Sequence, residues 1–123
     1  TEGRYQLGLA YLQLKMPDEA IDQFEVVRKK QPKDADVLNN LGLAWQSKND
    51  EDRAMSLFEQ AHELDPNNVI ILNNLADLHL VLHQRAPQES KHLAEAMRLW
   101  RLSLKLKPDQ PRVANFIKYF NAQ

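Results

Sequence analysis

The sequence contains no cysteine, which excludes disulfides, thiolate catalysis and cysteine-ligated metal. Glycine is scarce: the three present are Gly3, Gly8 and Gly42, and they form no cluster of the kind that cradles a phosphate. Apolar runs are far too short to span a bilayer, the stretch at 69–72 being among the longest. The 16 basic residues are balanced by 17 acidic ones, which argues against nucleic acid or an anionic membrane as a partner.

What the sequence has instead is helical periodicity along nearly its whole length, with few segments that alternate in period two. Its 123 residues are the length of one domain, and 43% apolar residues suffice for a core. The chain begins at Thr1 without a methionine and inside a helical pattern, which favours a piece of a longer protein. No signal peptide is visible. The location expected by default is the cytoplasm, with a periplasmic or membrane-associated parent protein left open.

A repeat of 34 residues is the strongest pattern in the chain, since VLNNLG at 37–42 returns as ILNNLA at 71–76. Each row of the repeat also has an alanine, an aromatic residue four positions later and a proline eight positions after that. The third row regains this register eight residues late. The residues concerned are Ala20, Phe24 and Pro32, then Ala54, Phe58 and Pro66, then Ala96, Trp100 and Pro108.

This pattern resembles the tetratricopeptide repeat (TPR) family, whose unit is a helix–turn–helix of 34 residues. The resemblance covers residues 1–108, with Arg4 and His79 departing from the usual apolar and aromatic residues. It implies an all-α, right-handed α-solenoid of antiparallel helix pairs, with seven helices. We predict repeats at 1–34, 35–68 and 69–110, the third with an eight-residue insertion, then a capping helix at 111–123, all in one domain. The predicted helices span about 2–14, 18–30, 35–48, 51–64, 69–83, 88–106 and 111–121.

Local signals support these elements. Asp34 and Asn68 stand where the following helix needs an N-cap. Because eight residues make about two helical turns, one added turn on each helix of the third repeat would preserve their pairing. We predict that His83 and Gln84 extend the first helix, that 85–86 turn, and that Pro87 starts the second helix. The resulting hairpin is predicted to protrude by about one turn, as plain length variation or as a docking knob.

The two asparagines of the repeated LNNL segment differ in direction. At about 100° per residue, the leucines face the partner helix, Asn40 and Asn74 face the opposite side, and Asn39 and Asn73 lie on the flank. In the TPR family that opposite side lines a concave groove, so the resemblance implies that an extended peptide of a partner protein binds there. The predicted groove residues are Tyr5, Gln6, Leu9, Asp36, Asn39, Asn40, Leu43, Ile70, Asn73, Asn74, Asp77, Arg112, Phe116 and Tyr119.

The chemistry of this groove predicts the class of peptide. Gln6, Asn40 and Asn74 form a ladder of carboxamides, each able to pair with both polar groups of a peptide backbone. Asn39 and Asn73 either contact the ligand or satisfy neighbouring helices. Because Glu2, Asp36 and Asp77 make much of the groove acidic, we expect an extended, partly apolar peptide with some basic residues.

One TPR subclass clamps a C-terminal carboxylate, and the present chain does not fit it. The clamp has lysine at the positions of Tyr5 and Ile70, asparagine at those of Leu9 and Asn40, and arginine at that of Asn74. Only Asn40 matches. A carboxylate clamp is therefore not expected here.

No catalytic constellation is visible in the sequence. His79 and His83 have a spacing that suits a metal, but no zinc-protease signature accompanies them, and His79 occupies a packing position. His62 and His92 are expected to be solvated. We therefore expect no enzyme activity, metal or cofactor, and a protein–protein interaction scaffold without nucleic-acid binding or membrane insertion. The alternatives are self-assembly as a homo-oligomer, a structural segment of a larger TPR solenoid, or an accessory domain of an enzyme.

Overall fold

The computed structural model describes residues 2–122, which form seven α-helices and no strand. The predicted bounds agree with the structure within two residues, except that the sixth helix begins three residues later. No helix among the described residues is long and apolar enough to cross a bilayer. The helices are α1 (Glu2–Gln13), α2 (Pro17–Lys30), α3 (Ala35–Ser47), α4 (Glu51–Leu64), α5 (Val69–Arg85), α6 (Lys91–Leu106) and α7 (Pro111–Asn121).

The chain divides into two compact units, unit 1 at Thr1–Pro66 and unit 2 at Asn67–Gln123. In unit 1, α1 packs against α2, α3 packs against α4, and α3 also contacts α1 and α2. In unit 2, α5 packs against α6, and α6 packs against α7. The first two predicted repeats therefore lie in unit 1, and the third lies in unit 2 with the predicted cap. The organisation of all repeats as one domain stays a prediction.

The helix ends follow the local signals of the sequence. The Asp34 carboxylate accepts hydrogen bonds from the backbone N–H groups of Asp36 (3.0 Å) and Val37 (3.3 Å), and Asn68 does the same at the start of α5. Both N-caps are confirmed. The prolines at 32, 66 and 108 each stand two residues beyond the end of a helix. A proline there cannot continue the helix, so the chain turns.

Glycine at two positions lets the paired helices of unit 1 approach closely. Phe24 on α2 and Phe58 on α4 are fully buried, and their rings lie against the backbones of Gly8 and Gly42. A Cβ atom added at Gly8 would lie 2.6 Å from the Phe24 ring, and one at Gly42 would lie 2.7 Å from the Phe58 ring. Neither site has room for a methyl group. Packing therefore requires a residue without a side chain at Gly8 and at Gly42.

Replacing Gly42 with alanine is expected to lower the free energy of unfolding by about 1–3 kcal/mol, because the buried Phe58 ring must shift. Gly3→Ala is the matched control, since a Cβ atom there meets nothing within 4 Å. That change is expected to raise the free energy of unfolding by at most about 0.5 kcal/mol, because alanine favours the helix. Urea unfolding monitored by circular dichroism measures both. Equal effects of the two substitutions would contradict the close packing.

The eight-residue insertion is distributed differently from the prediction. Helix α5 has 17 residues against 13 in α3, so it gains about one turn, while α6 has 16 against 14 in α4. The prediction that Pro87 starts the second helix is wrong, because α6 begins at Lys91. Pro87 instead follows Ala86 in a turn closed by a 3.0 Å hydrogen bond from the Glu89 N–H to the Ala86 carbonyl. The second position of such a turn also favours the fixed φ of proline.

The added turn of α5 makes contacts within unit 2. His83 places its Nδ1 atom 3.2 Å from the Glu89 carbonyl oxygen, and its ring meets the Phe120 ring edge-on at 6.5 Å. The extension therefore supports the 86–90 loop and contacts α7. Its use as a docking knob stays a prediction.

Helix α7 covers a buried tryptophan. Val113 is buried, and the rings of Phe116 and Phe120 stack on Trp100 with centroids 5.0 and 6.4 Å away. Trp100 is itself fully buried in α6. The aromatic and apolar side of α7 thus packs against α6 within unit 2, which is the packing expected of a capping helix. Lys118, at the position that Gly8 holds in the first repeat, is exposed.

Candidate functional site

The face formed by α1 and α3 in unit 1 joins two predicted site residues. The side-chain Nδ2 of Asn40 donates a 2.9 Å hydrogen bond to the hydroxyl of Tyr5, which lies 35 positions earlier in the chain. Both side chains are half-buried. The Tyr5 ring is fixed further by the buried Phe24 ring, 6.0 Å away. The structure thus holds a phenol and a carboxamide side by side on this face.

Acidic residues surround Tyr5. Burial raises the pKa of its phenol above the ordinary 10.0, and the carboxylates of Asp36 and Asp34 act in the same direction, while the hydrogen bond from Asn40 opposes them. The phenol therefore keeps its proton at neutral pH. Its oxygen accepts from Asn40, and its own O–H can still donate. A cavity of about 130 Å³ lies beside it, lined by Glu2, Tyr5, Gln31, Asp34 and Asp36.

The other predicted residues of unit 1 differ in how much surface they offer. Gln6 is exposed and donates a 3.0 Å hydrogen bond to Glu2. Leu9 and Leu43 are half-buried. Asn39 is only 5% exposed, so it presents little surface to a ligand. Of the two interpretations of Asn39, this burial favours a role in the fold.

In unit 2 the structure pairs two predicted site residues that the sequence treated separately. Arg112 on α7 donates to both oxygens of Asp77 on α5, at 3.4 and 3.1 Å. The guanidinium also lies 5.3 Å from the centroid of the Phe116 ring. Because the arginine neutralises Asp77, this face is less acidic than the sequence suggested. The acidic character of the site rests on unit 1.

The two asparagines of α5 lie in different surroundings. The Asn73 Nδ2 donates a 2.7 Å hydrogen bond to Gln110, whose own Nε2 donates to the Lys107 carbonyl at 2.8 Å and to the Ser103 carbonyl at 3.1 Å. Asn73 therefore helps to fix the turn between α6 and α7, which favours its structural interpretation. Asn74 is half-buried. Two apolar or aromatic side chains of this unit are largely exposed, Ile70 at 66% and Tyr119 at 59%.

Sequence reasoning missed Gln110 and the part that Asp34 plays beside Tyr5. Gln110 directly precedes Pro111, the first residue of α7, and that N-cap position was the available signal. Asp34 was recognised only as the cap of α3. A cap residue lies at the same helix end as Asp36, so its carboxylate adds to the same local field.

The histidines of unit 2 are arranged differently from the prediction. His79 on α5 and His92 on α6 place their Nδ1 atoms 2.9 Å apart, so one ring donates and the other accepts. His92 is half-buried, and the prediction that it is solvated is wrong because it pairs with His79. His62 is half-buried as well, with an Nδ1 atom shielded from solvent. Within residues 2–122, no group of three His, Cys, Asp or Glu side chains is arranged to hold a metal ion.

The His79–His92 pair predicts a pH dependence of stability. Burial lowers the pKa of His79 below the ordinary 6.5, and His92 and Arg98 lower it further, while Glu95 opposes them. Below about pH 6.5 the unfolded chain therefore binds more protons than the folded chain, so the free energy of unfolding falls as the pH falls toward the folded pKa. Urea unfolding between about pH 7 and pH 5 measures this slope. His79→Phe, which restores the usual aromatic residue, is expected to flatten it; an unchanged slope would contradict the assignment.

Helix pairs and the absence of strands within residues 2–122 define the class: an all-α protein built of helix pairs in the manner of an α-solenoid, as predicted. The Tetratricopeptide repeat family matches residues 35–68 with one of its models and residues 2–34 with another. The chain belongs to the tetratricopeptide repeat family, a family of protein-interaction scaffolds. No curated protein sequence matches it.

Solved structures share this fold at low sequence identity. The first TPR domain of Spaghetti (RPAP3), bound to the HSP90 peptide SRMEEVD, has a TM-score of 0.83 at 18% identity, covering 97% of this chain and 88% of that one. The first TPR domain of human RPAP3 has a TM-score of 0.81 at 18% identity, with coverage of 97% and 87%. PcrH, in complex with the chaperone-binding region of PopD, has a TM-score of 0.82 at 22% identity, with coverage of 98% and 90%.

Proposed function

We propose that this chain captures an extended segment of a partner protein on the faces that carry Asn40 in unit 1 and Asn74 in unit 2. The observation that carries the proposal is the hydrogen bond between Asn40 and Tyr5. It fixes the Asn40 carboxamide and leaves its oxygen as an acceptor next to the Tyr5 O–H as a donor. An acceptor beside a donor complements the N–H and C=O groups of a peptide backbone. Such contacts hold a main chain without reading its sequence.

The side chains around these amides suggest which peptides are preferred. Leu9, Leu43 and the exposed Ile70 supply apolar contact. The carboxylates of Glu2, Asp34 and Asp36 surround Tyr5 and favour a basic residue there. Asp77 adds little to this preference, since Arg112 already neutralises it. We therefore propose an extended, partly apolar partner segment whose lysine or arginine lies against unit 1.

The solved structures support the general role, because chains of this fold hold an HSP90 peptide and a region of PopD. The HSP90 peptide SRMEEVD is acidic, and the surroundings of Tyr5 in this chain are acidic as well. These like charges would repel each other. Tyr5, Leu9, Ile70 and Asn74 also replace four of the five clamp residues that a C-terminal carboxylate requires. A different class of peptide is therefore proposed here, and no catalytic role is proposed.

Selection from a library of short random peptides tests the preference for basic residues. Peptides enriched on the wild-type chain are expected to carry a net positive charge and to bind more weakly as the salt concentration rises. Asp36→Asn is expected to weaken binding of a selected peptide by up to about fivefold, the usual range for one exposed ion pair. Asp109→Asn, an exposed change outside this face, should leave the affinity unchanged. Enrichment of acidic peptides would contradict the proposed class.

Self-assembly is the second candidate, and α1 carries the observation that favours it. Leu7 in α1 is 43% exposed, and Leu14, which directly follows the last residue of α1, is 67% exposed. The Leu14 N–H still donates to the Ala10 carbonyl, so the two leucines lie about two helical turns apart toward one side. Two copies could cover these leucines against each other. Light scattering over a concentration series separates the candidates: a constant monomer mass removes self-assembly, and a mass that rises with concentration and returns to the monomer in Leu14→Gln supports it.

A further inference from the structure

A second cavity in unit 1 shares no lining residue with the face around Tyr5 and Asn40. Helices α2 and α4 both pack against α3, and the cleft that they flank has a volume of about 370 Å³. This volume lies within the range of small-ligand pockets in proteins. The cleft is lined by Glu25 and Arg28 of α2, Leu41 and Trp45 of α3, and Arg53, Ser56, Leu57 and Gln60 of α4.

Trp45 forms one wall of the cleft, and two cationic side chains lie near its ring. The guanidinium carbon of Arg53 lies 4.4 Å from the ring centroid, and the Lys48 ammonium lies 5.5 Å from it. Arg53 is held further by Asp50, whose oxygen accepts from Nη1 at 3.3 Å. The guanidinium has five N–H donors, so this contact leaves most of them for another acceptor. The Arg53 side chain is thus positioned yet retains donor capacity.

The opposite wall and the rim are also rich in donors. Arg28 contacts Glu25 through its Nε atom at 3.1 Å, so the edge formed by its two Nη groups remains for a second carboxylate. Ser56 accepts a 3.2 Å hydrogen bond from Gln60 and keeps its own hydroxyl proton to donate. The cleft is therefore lined by two guanidiniums and one carboxylate, that of Glu25. The buried Oε1 atom of Glu25 lies 3.1 Å from Arg28 Nε as an ion pair and accepts no hydrogen bond within the described residues.

We propose that this cleft binds a carboxylate group that stands next to an apolar side chain on a segment of a partner protein. The carboxylate of a glutamate or aspartate would pair with the forks of Arg28 and Arg53, a geometry that a guanidinium favours. The adjacent apolar side chain would lie against Trp45 and the leucines 41 and 57 at the base of the cleft. The chain would then contact acidic protein segments on the α2–α4 side, in addition to the peptide face of α1 and α3.

The two tryptophans make this proposal directly measurable. Trp45 lines the cleft, while Trp100 is fully buried in unit 2 and serves as an internal control. The probe is N-acetyl-leucyl-glutamic acid α-amide, titrated into the isotopically labelled full chain, and the matched control is its glutamine analogue. The acidic probe is expected to shift the Trp45 indole N–H signal saturably and leave that of Trp100 in place. The neutral analogue is expected to bind about tenfold more weakly, since it lacks the charge-assisted bonds.

Substitutions assign the effect to the arginines. Arg53→Gln and Arg28→Gln are each expected to lower the affinity for the acidic probe by about threefold to tenfold. Arg53→Lys keeps the charge but loses the fork, so an intermediate loss is expected. Asn40→Ala should leave this titration unchanged, which separates the cleft from the peptide face. The proposal is overturned by a missing Trp45 shift, by equal binding of the glutamine analogue, or by equal binding of 4-methylpentanoate, which would indicate a site for free carboxylic acids.

Discussion

Replacing Trp100 with alanine is expected to lower the free energy of unfolding by about 3–5 kcal/mol, the range for removing a buried aromatic side chain. Trp100 is fully buried, and the rings of Phe116 and Phe120 stack on it at interplanar angles of 18° and 17°. The substitution therefore removes the surface on which α7 packs. Helix α7 should lose much of its circular dichroism signal before the remaining helices unfold.

Two matched variants separate stacking from other effects. Trp100→Phe keeps an aromatic ring and removes the indole N–H, which is buried with no acceptor among the described residues. Trp100→Phe should therefore lower the free energy of unfolding much less than Trp100→Ala does, because an unsatisfied donor is removed along with part of the ring. Tyr119→Ala changes a neighbouring aromatic residue that is 59% exposed, and its effect should stay near zero. If Trp100→Ala and Tyr119→Ala had similar effects, the stacking account would be wrong.

The same variant tests whether the repeats form one domain. With Trp100 removed, Trp45 is the remaining tryptophan, and it lies in unit 1. If all repeats unfold as one domain, the Trp45 fluorescence transition should move to lower denaturant, together with the main circular dichroism transition that follows the loss of α7. A Trp45 transition that stays at the wild-type midpoint would contradict the one-domain prediction.

The double substitution Asn40→Ala with Asn74→Ala is expected to weaken the binding of a library-selected peptide by about 1–3 kcal/mol, or about five- to 150-fold in affinity. Each carboxamide is proposed to make one hydrogen bond with the peptide backbone, and such a bond contributes about 0.5–1.5 kcal/mol. Asn40→Ala also leaves the Tyr5 hydroxyl without the amide that now positions it. Fluorescence polarisation of a labelled peptide measures the loss.

A control is needed because Asn40 contributes to the structure as well as to the proposed site. Gln88→Ala removes an exposed carboxamide from the 86–90 loop, which holds no predicted groove residue, and it should leave the affinity unchanged. Circular dichroism and thermal melting should show that the double variant keeps its helices. A loss of binding that merely follows a loss of helicity would count against a direct contact.

The repeat pattern predicted the helices because packing constraints recur at fixed offsets. The contact between Gly8 and Phe24 recurs 34 residues later as the contact between Gly42 and Phe58. The spacing of each pair therefore carries information about both of its helices. Side-chain caps such as Asp34 marked helix starts, because a cap bonds to backbone N–H groups only two or three residues away. The start of α6 was missed because Pro87 fits both the first turn of a helix and the second position of a β-turn. The hydrogen bond from Glu89 to Ala86 selects the turn.

The pairing of side chains across helices was beyond the sequence. A helical wheel gives the direction of a residue on its own helix, whereas Asp77 and Arg112 meet only through the approach of α5 and α7. The wheel therefore assigned both to one face and could not show that their charges cancel. His79 and His92 were likewise assigned to separate helix faces, and their contact depends on how closely α5 and α6 approach. These contacts alter the expected charge of the site.

Affinity capture from cell extract with the wild-type chain and with the Asn40→Ala, Asn74→Ala variant, followed by mass spectrometry, tests the central claim most directly. Proteins that bind through the proposed face should be recovered with the wild-type chain and with Gln88→Ala, and should be depleted with the double variant. Recovery of the same proteins in the same amounts with all three chains would contradict the claim that these asparagines hold a partner.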